Sequence, residues 1–156
     1  MLNSDTNAIH YKRARFSTHL PMDRLYTPSH FWLQEDSAGS WKVGFTKFAT
    51  RMLGEILECR FEVKPNAEVA IGQVIGFVEA FKAVSDLYSV IQGTFKEINP
   101  QLLQDYGVVS SSPYHQGWLY RIEGIPDHRC LKVQNYIELL NETIDRMREH
   151  TENGVK

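Results

Sequence analysis

Few residues of this 156-residue chain are spaced for chemistry, and the one that stands out is a lysine. Lys82 follows the run Gly76-Phe77-Val78-Glu79-Ala80-Phe81 and precedes Ala83-Val84-Ser85-Asp86-Leu87-Tyr88. The pattern reads as a strand, a lysine and a second strand. On pattern alone such a lysine is a solvated surface residue. Cys59 and Cys130 form no C-x-x-C, and His128-Arg129-Cys130 lacks an H-x-x-x-H spacing, so a structural metal is not expected. Arg129 beside Cys130 raises the idea of a reactive thiol, against the simpler one of a packed thiol. Ser110-Ser111-Ser112 near His115 belongs to no identifiable Ser-His-Asp order, and no glycine-rich phosphate loop is present.

The elements that would position Lys82 are short. Trp41–Thr46 alternates large apolar with small or polar residues, the signal of a half-buried strand. Glu55–Glu62, Gln73–Glu79, Leu87–Ile91, Thr94–Ile98 and Gly117–Ile122 read similarly, with turns at Lys64-Pro65-Asn66 and Gln92-Gly93. Such spacing predicts a small barrel or sandwich. Short helices are predicted at Lys47–Leu53 and Pro100–Asp105, where Pro100 suits a first helical position. Val133, Tyr136, Ile137, Leu140, Ile144 and Met147 share one helical stripe, which predicts a helix packed on the strands. The chain thus divides into an N-terminal arm (1–25), mobile or loosely docked, a β-rich domain (26–128), and a C-terminal amphipathic helix with a frayed tail (129–156).

Bulk properties remove several function classes. A net charge of −2 disfavours nucleic acid or an anionic membrane as the main partner. No apolar run approaches the roughly 18 residues of a membrane span, and no secretory signal is visible. The basic Lys12-Arg13-Ala14-Arg15 cluster is flanked by Asp5 and Asp23 and makes a poor transit peptide. A cytoplasmic protein with reduced thiols is the expectation.

Residues 26–126 resemble the H protein of the glycine cleavage system. The resemblance runs through Tyr26-Thr27-x-x-His30-x-Trp32, Val43-Gly44-x-Thr46 and Leu53-Gly54-Glu55-Ile56. It continues through Val78-Glu79-x-x-Lys82-Ala83-Val84-Ser85-Asp86-Leu87-Tyr88 and Ser112-Pro113-Tyr114-x-x-Gly117-Trp118-Leu119. Five motifs in order outweigh the bland reading of Lys82. The resemblance implies a mainly β fold, a flattened lipoyl-domain barrel of two small antiparallel sheets, with short inserted helices and a C-terminal helix. It also implies lipoic acid joined as an amide to Lys82 at an exposed hairpin, which removes the amine's charge. Biotin carriers share this fold but usually flank the lysine with methionines; Phe81 and Ala83 favour lipoate. Glu79, Ser85, Asp86, His30, Phe31 and Phe48 would then form the cleft for the arm and the surface read by a lipoate ligase or lipoyl transferase.

Some positions depart from that family. Phe31 stands where glycine-cleaving members carry a glutamate that holds the aminomethyl ammonium. Phe48 replaces a frequent histidine, and Lys47 stands where an acid is common; Asp86 is retained. A carboxylate attracts an ammonium by roughly 1–4 kcal/mol at about 4 Å, and an aromatic face returns only about 0.5–2 kcal/mol. The cleft therefore reads as poorer for an amine; the plainer reading makes Phe31 and Phe48 core residues. The phrase His30-Phe31-Trp32-Leu33, the stretch Gly44–Gly54 and the tail Leu139-Leu140-x-x-Thr143-Ile144-Asp145-x-Met147 also resemble lipoate-binding proteins that work with heterodisulfide-reductase-like complexes in sulfur oxidation.

The expected role is a non-catalytic carrier whose arm shuttles a thiol-bound intermediate and reducing equivalents. The favoured setting is sulfur oxidation with a heterodisulfide-reductase-like complex and dihydrolipoyl dehydrogenase. The alternative is glycine cleavage, with glycine decarboxylase and aminomethyltransferase as partners. An unmodified interaction module is the third.

Overall fold

The computed structural model describes residues 7–154. Alternating strands pair into three antiparallel sheets, and no closed barrel forms among the described residues. A hairpin of β1 (Ala8–Arg13) and β2 (Phe16–Pro21) stands alone as a two-stranded sheet. The largest sheet uses β3 (Leu25–Tyr26), β4 (Phe31–Ser37), β5 (Ser40–Phe45), β7 (Glu68–Val69), β10 (Ile91–Ile98) and β11 (Tyr120–Pro126). Their order across it is β3-β4-β5-β11-β10-β7. The smaller sheet has β8 (Val74–Ala80) between β6 (Ile56–Phe61) and β9 (Val84–Tyr88). Leu33, Val43, Phe95 and Ile122 of the first meet Ile56, Val78, Ala80 and Leu87 of the second in one core.

Helix α1 (Lys47–Leu53) joins the two sheets, with the bounds its sequence predicts. Thr46 caps it by accepting from the Ala49 N–H through its hydroxyl. Pro100 opens a 3-10 turn, Pro100–Leu103, capped by Asn99, and α2 (Val108–Ser111) is a further single turn that the sequence did not suggest. The C-terminal helix α3 (Val133–Gly154) lays Val133, Tyr136, Leu140 and Ile144 into a second apolar cluster. That cluster includes Tyr11, Phe16 and Leu20 of the hairpin, and Tyr26, Trp32 and Phe48.

Four expectations need correction. The segment 1–25 does not hang loose where it is described: β1 and β2 pair from Ala8–Pro21 to Arg13–Phe16 and dock on α3. The Tyr11 hydroxyl donates to Asn141 at 2.8 Å, and the Arg13 guanidinium grips the Asp145 carboxylate at 2.7 Å. Ala14-Arg15 forms the turn with Ala14 at φ 54, so the usual Asn-Gly signal is missing. Residues 1–6, and 155–156 of the tail expected to fray, lie outside the described residues. Second, Gln92-Gly93 is no turn. Gly93 sits inside β10, where a Cβ would come within 1.9 Å of the Glu123 carbonyl oxygen, so glycine serves close strand approach. Third, strand β11 starts at Tyr120 rather than Gly117, which lies in the preceding turn region. Fourth, α3 keeps its helical geometry as far as Gly154, past the start of the expected frayed end.

The Tyr136 hydroxyl joins α3 to the large sheet. It meets the Thr46 hydroxyl at 2.9 Å and His30 Nδ1 at 2.8 Å, while its ring stacks on Tyr26 at 4.7 Å. Tyr136→Phe keeps the ring, leaves His30 Nδ1 without this partner and takes one of two partners from the Thr46 hydroxyl, so stability should fall by about 1–3 kcal/mol in urea unfolding.

Candidate functional site

Lys82 sits in the turn between β8 and β9, and its main chain is held from below. The Lys82 N–H donates to the Leu53 carbonyl at 2.9 Å and the Phe81 N–H to the Glu55 carbonyl at 2.8 Å. Ala80 N–H to Ala83 carbonyl closes the turn at 2.9 Å. Both accepting carbonyls flank Gly54, which ends α1 at φ 79, and a Cβ there would lie 3.0 Å from Lys82 Cγ. The Lys82 ammonium reaches the Arg51 carbonyl at 3.4 Å, one of the free acceptors at the negative end of α1. The side chain is exposed, between Phe81 (78% exposed) and Val84 (70%). An amine flanked by two solvent-facing apolar side chains suits something that docks on the turn.

Glu79, Ser85 and Asp86 all lie exposed on the strands flanking the turn. Glu79 faces Val84 on one side and Glu58 on the other, so two carboxylates stand side by side. Asp86 lies opposite Phe77 and accepts a long 3.5 Å bond from the Tyr88 hydroxyl, while the Ser85 hydroxyl donates to the Asp86 carbonyl at 3.2 Å.

The other expected residues divide. Phe48 lines a cleft of about 520 Å³ together with Lys82, Phe16, Arg51, Met52 and Met147. A second cleft of about 560 Å³, which shares Arg51 and Lys82 with the first, is lined by Lys47, Thr50, Gly54, Glu55 and Ser110, among others. His30 and Phe31 line neither. His30, at φ 71, stands behind Phe48 at 4.6 Å between ring centroids, and burial pushes its pKa down to about 4. Phe31 is buried and stacks on Phe45 at 5.1 Å, so at this position an aromatic pair fills the sheet core.

Hairpin residues Arg13–Phe16, with Arg51, Ile144 and Arg148, also line the first cleft and were not anticipated. The available signal was the α3 stripe, which runs on to Met147, 40% exposed. Cys130 carries no sign of activation. The Asp127 carboxylate occupies the Arg129 guanidinium at 2.7 Å, and burial raises the thiol to about 11. Cys59 is buried and raised to about 12 for the same reason. No described helix is long and apolar enough to cross a membrane.

A family profile described as Glycine cleavage H-protein matches residues 24–143. The chain belongs to that family. The Micrococcus luteus glycine cleavage system H protein is 36% identical over 104 residues, 66% of this chain and 80% of the relative. The Kocuria rhizophila protein of the same name is 34% identical over 128 residues, covering 80% of this chain and 99% of its own. A solved glycine cleavage system H protein from Mycobacterium marinum superposes with a TM-score of 0.70 at 28% identity, over 78% of this chain and 99% of that one. These H-protein relatives favour glycine cleavage over the sulfur-oxidation setting, for which none of them speaks. The β1–β2 hairpin and α3 beyond Thr143 lie outside the matched range.

Two outcomes follow from this geometry. His30 stays neutral in the folded chain down to about 4, below its ordinary value of 6.5, so in between the unfolded chain binds the extra proton. Stability contributed at this site is present above 6.5, declines as pH falls toward 4, and His30→Asn, which tolerates positive φ, should flatten that part of a urea-midpoint profile. At the turn, Gly54→Ala should destabilise by about 1–3 kcal/mol through its positive φ, whereas Lys82→Ala should stay within about 0.5 kcal/mol in the same unfolding measurement.

Proposed function

We propose that this chain is a non-catalytic lipoyl carrier, with lipoic acid joined as an amide to Lys82, and that it serves glycine cleavage. In that role it passes an aminomethyl group from glycine decarboxylase to aminomethyltransferase and is reoxidised by dihydrolipoyl dehydrogenase. The observation that carries the reading is the exposed Lys82 amine on a turn whose main chain is fixed by the carbonyls of Leu53 and Glu55. The site fits the group: the amine is accessible for acylation, and the adjoining 520 Å³ cleft has apolar walls for a hydrocarbon tether. Once bound, lipoate supplies a strained dithiolane that opens to give a thiol and a thiol-bound fragment.

The chain's own residues then have distinct tasks. Leu53 and Glu55 hold the turn outward, and Gly54 lets the chain reverse beneath it. Glu79, Ser85 and Asp86 offer the polar surface that a lipoate ligase or lipoyl transferase reads. Phe48 walls the arm's cleft, His30 supports Phe48 from behind, and Phe31 fills the core. Residues 26–128 act as the lipoyl domain, with 1–25 and 129–156 as additions, in the cytoplasm.

A second reading is favoured by one observation: the residues lining the 520 Å³ cleft include arginines and no carboxylate. That suits a cargo other than an amine, as in sulfur oxidation with a heterodisulfide-reductase-like complex. Intact mass after treatment with a lipoate ligase should show one lipoyl group on the natural chain and none on Lys82→Arg; an unmodified natural chain would sink the carrier reading. With lipoylated protein, rapid glycine–CO₂ exchange in the presence of glycine decarboxylase supports the first reading. Absence of exchange from fully modified protein supports the second.

A further inference from the structure

We infer that His10 and His19 form a chelating site for a divalent transition-metal ion of the zinc and nickel kind, on the outer face of the β1–β2 hairpin. The inference does not rest on the carrier reading of Lys82. The hairpin lies outside the range shared with the family, so the site is an addition to the common fold.

Register brings the two side chains together. His10 of β1 stands directly opposite His19 of β2, and both project to the exposed face. Side chains at directly opposed positions start from Cβ atoms about 4.5–5.5 Å apart. The two rings stack with centroids 4.6 Å apart and planes 13° from parallel. Neither imidazole has a hydrogen bond or an ion pair among the described residues, so each neutral ring keeps a nitrogen lone pair for an ion. Zinc takes an imidazole nitrogen at about 2.0–2.1 Å, which sets two nitrogens on one ion about 3–4 Å apart. Rings already parallel on neighbouring strands reach that separation by leaning together at their outer edges, with no change in the backbone.

The backbone beneath them is fixed. His10 lies between Ile9 and Tyr11, and His19 between Thr18 and Leu20, and all four neighbours are buried or half-buried. The Tyr11 hydroxyl is held by Asn141 at 2.8 Å, and the Thr18 hydroxyl meets that of Tyr114 at 3.0 Å. This anchoring sets where the imidazoles stand before any ion arrives, so little ordering is left for binding to impose.

The donor set selects the class of ion. Neutral imidazoles suit zinc, nickel and copper, whereas magnesium and calcium require oxygen donors. The flanking pairs on the hairpin are Lys12 with Ser17 and Ala8 with Pro21, none of which offers a carboxylate. No third His, Cys, Asp or Glu completes a metal cluster among the described residues, so water takes the remaining positions. Such a site exchanges its ion and fastens β1 to β2; it is not a closed structural centre.

The test uses the full chain without a lipoyl group, whose dithiol would compete for the ion, and with Cys130→Ser for the same reason. Zn(II) is added at mildly alkaline pH, where imidazole nitrogens are free to ligate, and the ring ¹H–¹⁵N signals are followed. Those of His10 and His19 should move together, with one ion per chain, and at lower zinc than those of the exposed His128 and His150. Mg(II) in large excess should move neither ring. His10→Thr and His19→Thr should each weaken Zn(II) in calorimetry by at least about tenfold, because the second of two linked donors acts at high effective concentration. Each should also erase the rise in urea midpoint that zinc gives the natural pair. Threonine suits an exposed strand, and a dispersed amide spectrum checks that the hairpin stays docked. His10→Gln and His19→Gln replace the threonine variants if that spectrum changes. Rings that respond no earlier than His128 and His150, or a single variant that binds zinc as tightly as the natural pair, overturn the inference.

Discussion

Two main-chain hydrogen bonds organise the working end of this molecule. Lys82 and Phe81 donate to the carbonyls of Leu53 and Glu55, tying the turn of the small sheet to the end of α1. Helix α1 follows β5 of the large sheet and leads into β6 of the small one, so those bonds lock both sheets at a single point. Main-chain groups that are buried or half-buried must find partners. Here their partners are supplied across the gap between sheets, and the side chain of Lys82 is left free to face solvent. The cap at Thr46 and the reversal at Gly54 belong to the same arrangement, because each sets where α1 stops.

Legibility of the sequence follows from how each segment is buried. Helix α1 was readable in full, since Thr46 caps it and Leu53-Gly54 ends it. Strand β8 was readable because Val78 and Ala80 are buried and Glu79 between them is exposed. Strand β5 alternates in residue type although none of its residues is exposed, and a bulge between Ile56 and Glu58 breaks the alternation of β6. Strand β4 escaped because Phe31, Trp32 and Leu33 are all buried: Phe31 and Leu33 enter the core between sheets, and Trp32 enters the cluster beneath α3. A strand covered on both faces loses its period of two. The hairpin of β1 and β2 escaped for another reason. Its turn, Ala14-Arg15, carries none of the usual glycine or asparagine, and its apolar face is intelligible only once α3 is in place.

The site was legible in part, and the division is physical. Lys82, Glu79, Ser85 and Asp86 are contiguous along the chain, so a linear motif brings them together. Phe31 and Phe48 look alike in sequence but do different work: one packs between sheets, the other separates the half-buried His30 from a surface cleft. The arginines of that cleft come from three distant segments, and no linear pattern joins Arg15, Arg51 and Arg148. Phe31 works inside the core, where it stacks on Phe45.

The same main-chain bonds have a consequence for recognition. On the carrier reading, an enzyme that modifies Lys82 would meet a contour fixed by peptide groups, with Glu79, Ser85 and Asp86 as the polar letters on it. Other neighbouring residues could then vary without spoiling the fit, so long as the backbone keeps its course. Conversely, the short peptide around Lys82 copied into an unrelated loop would carry the letters and lose the shape, because Leu53 and Glu55 would not travel with it.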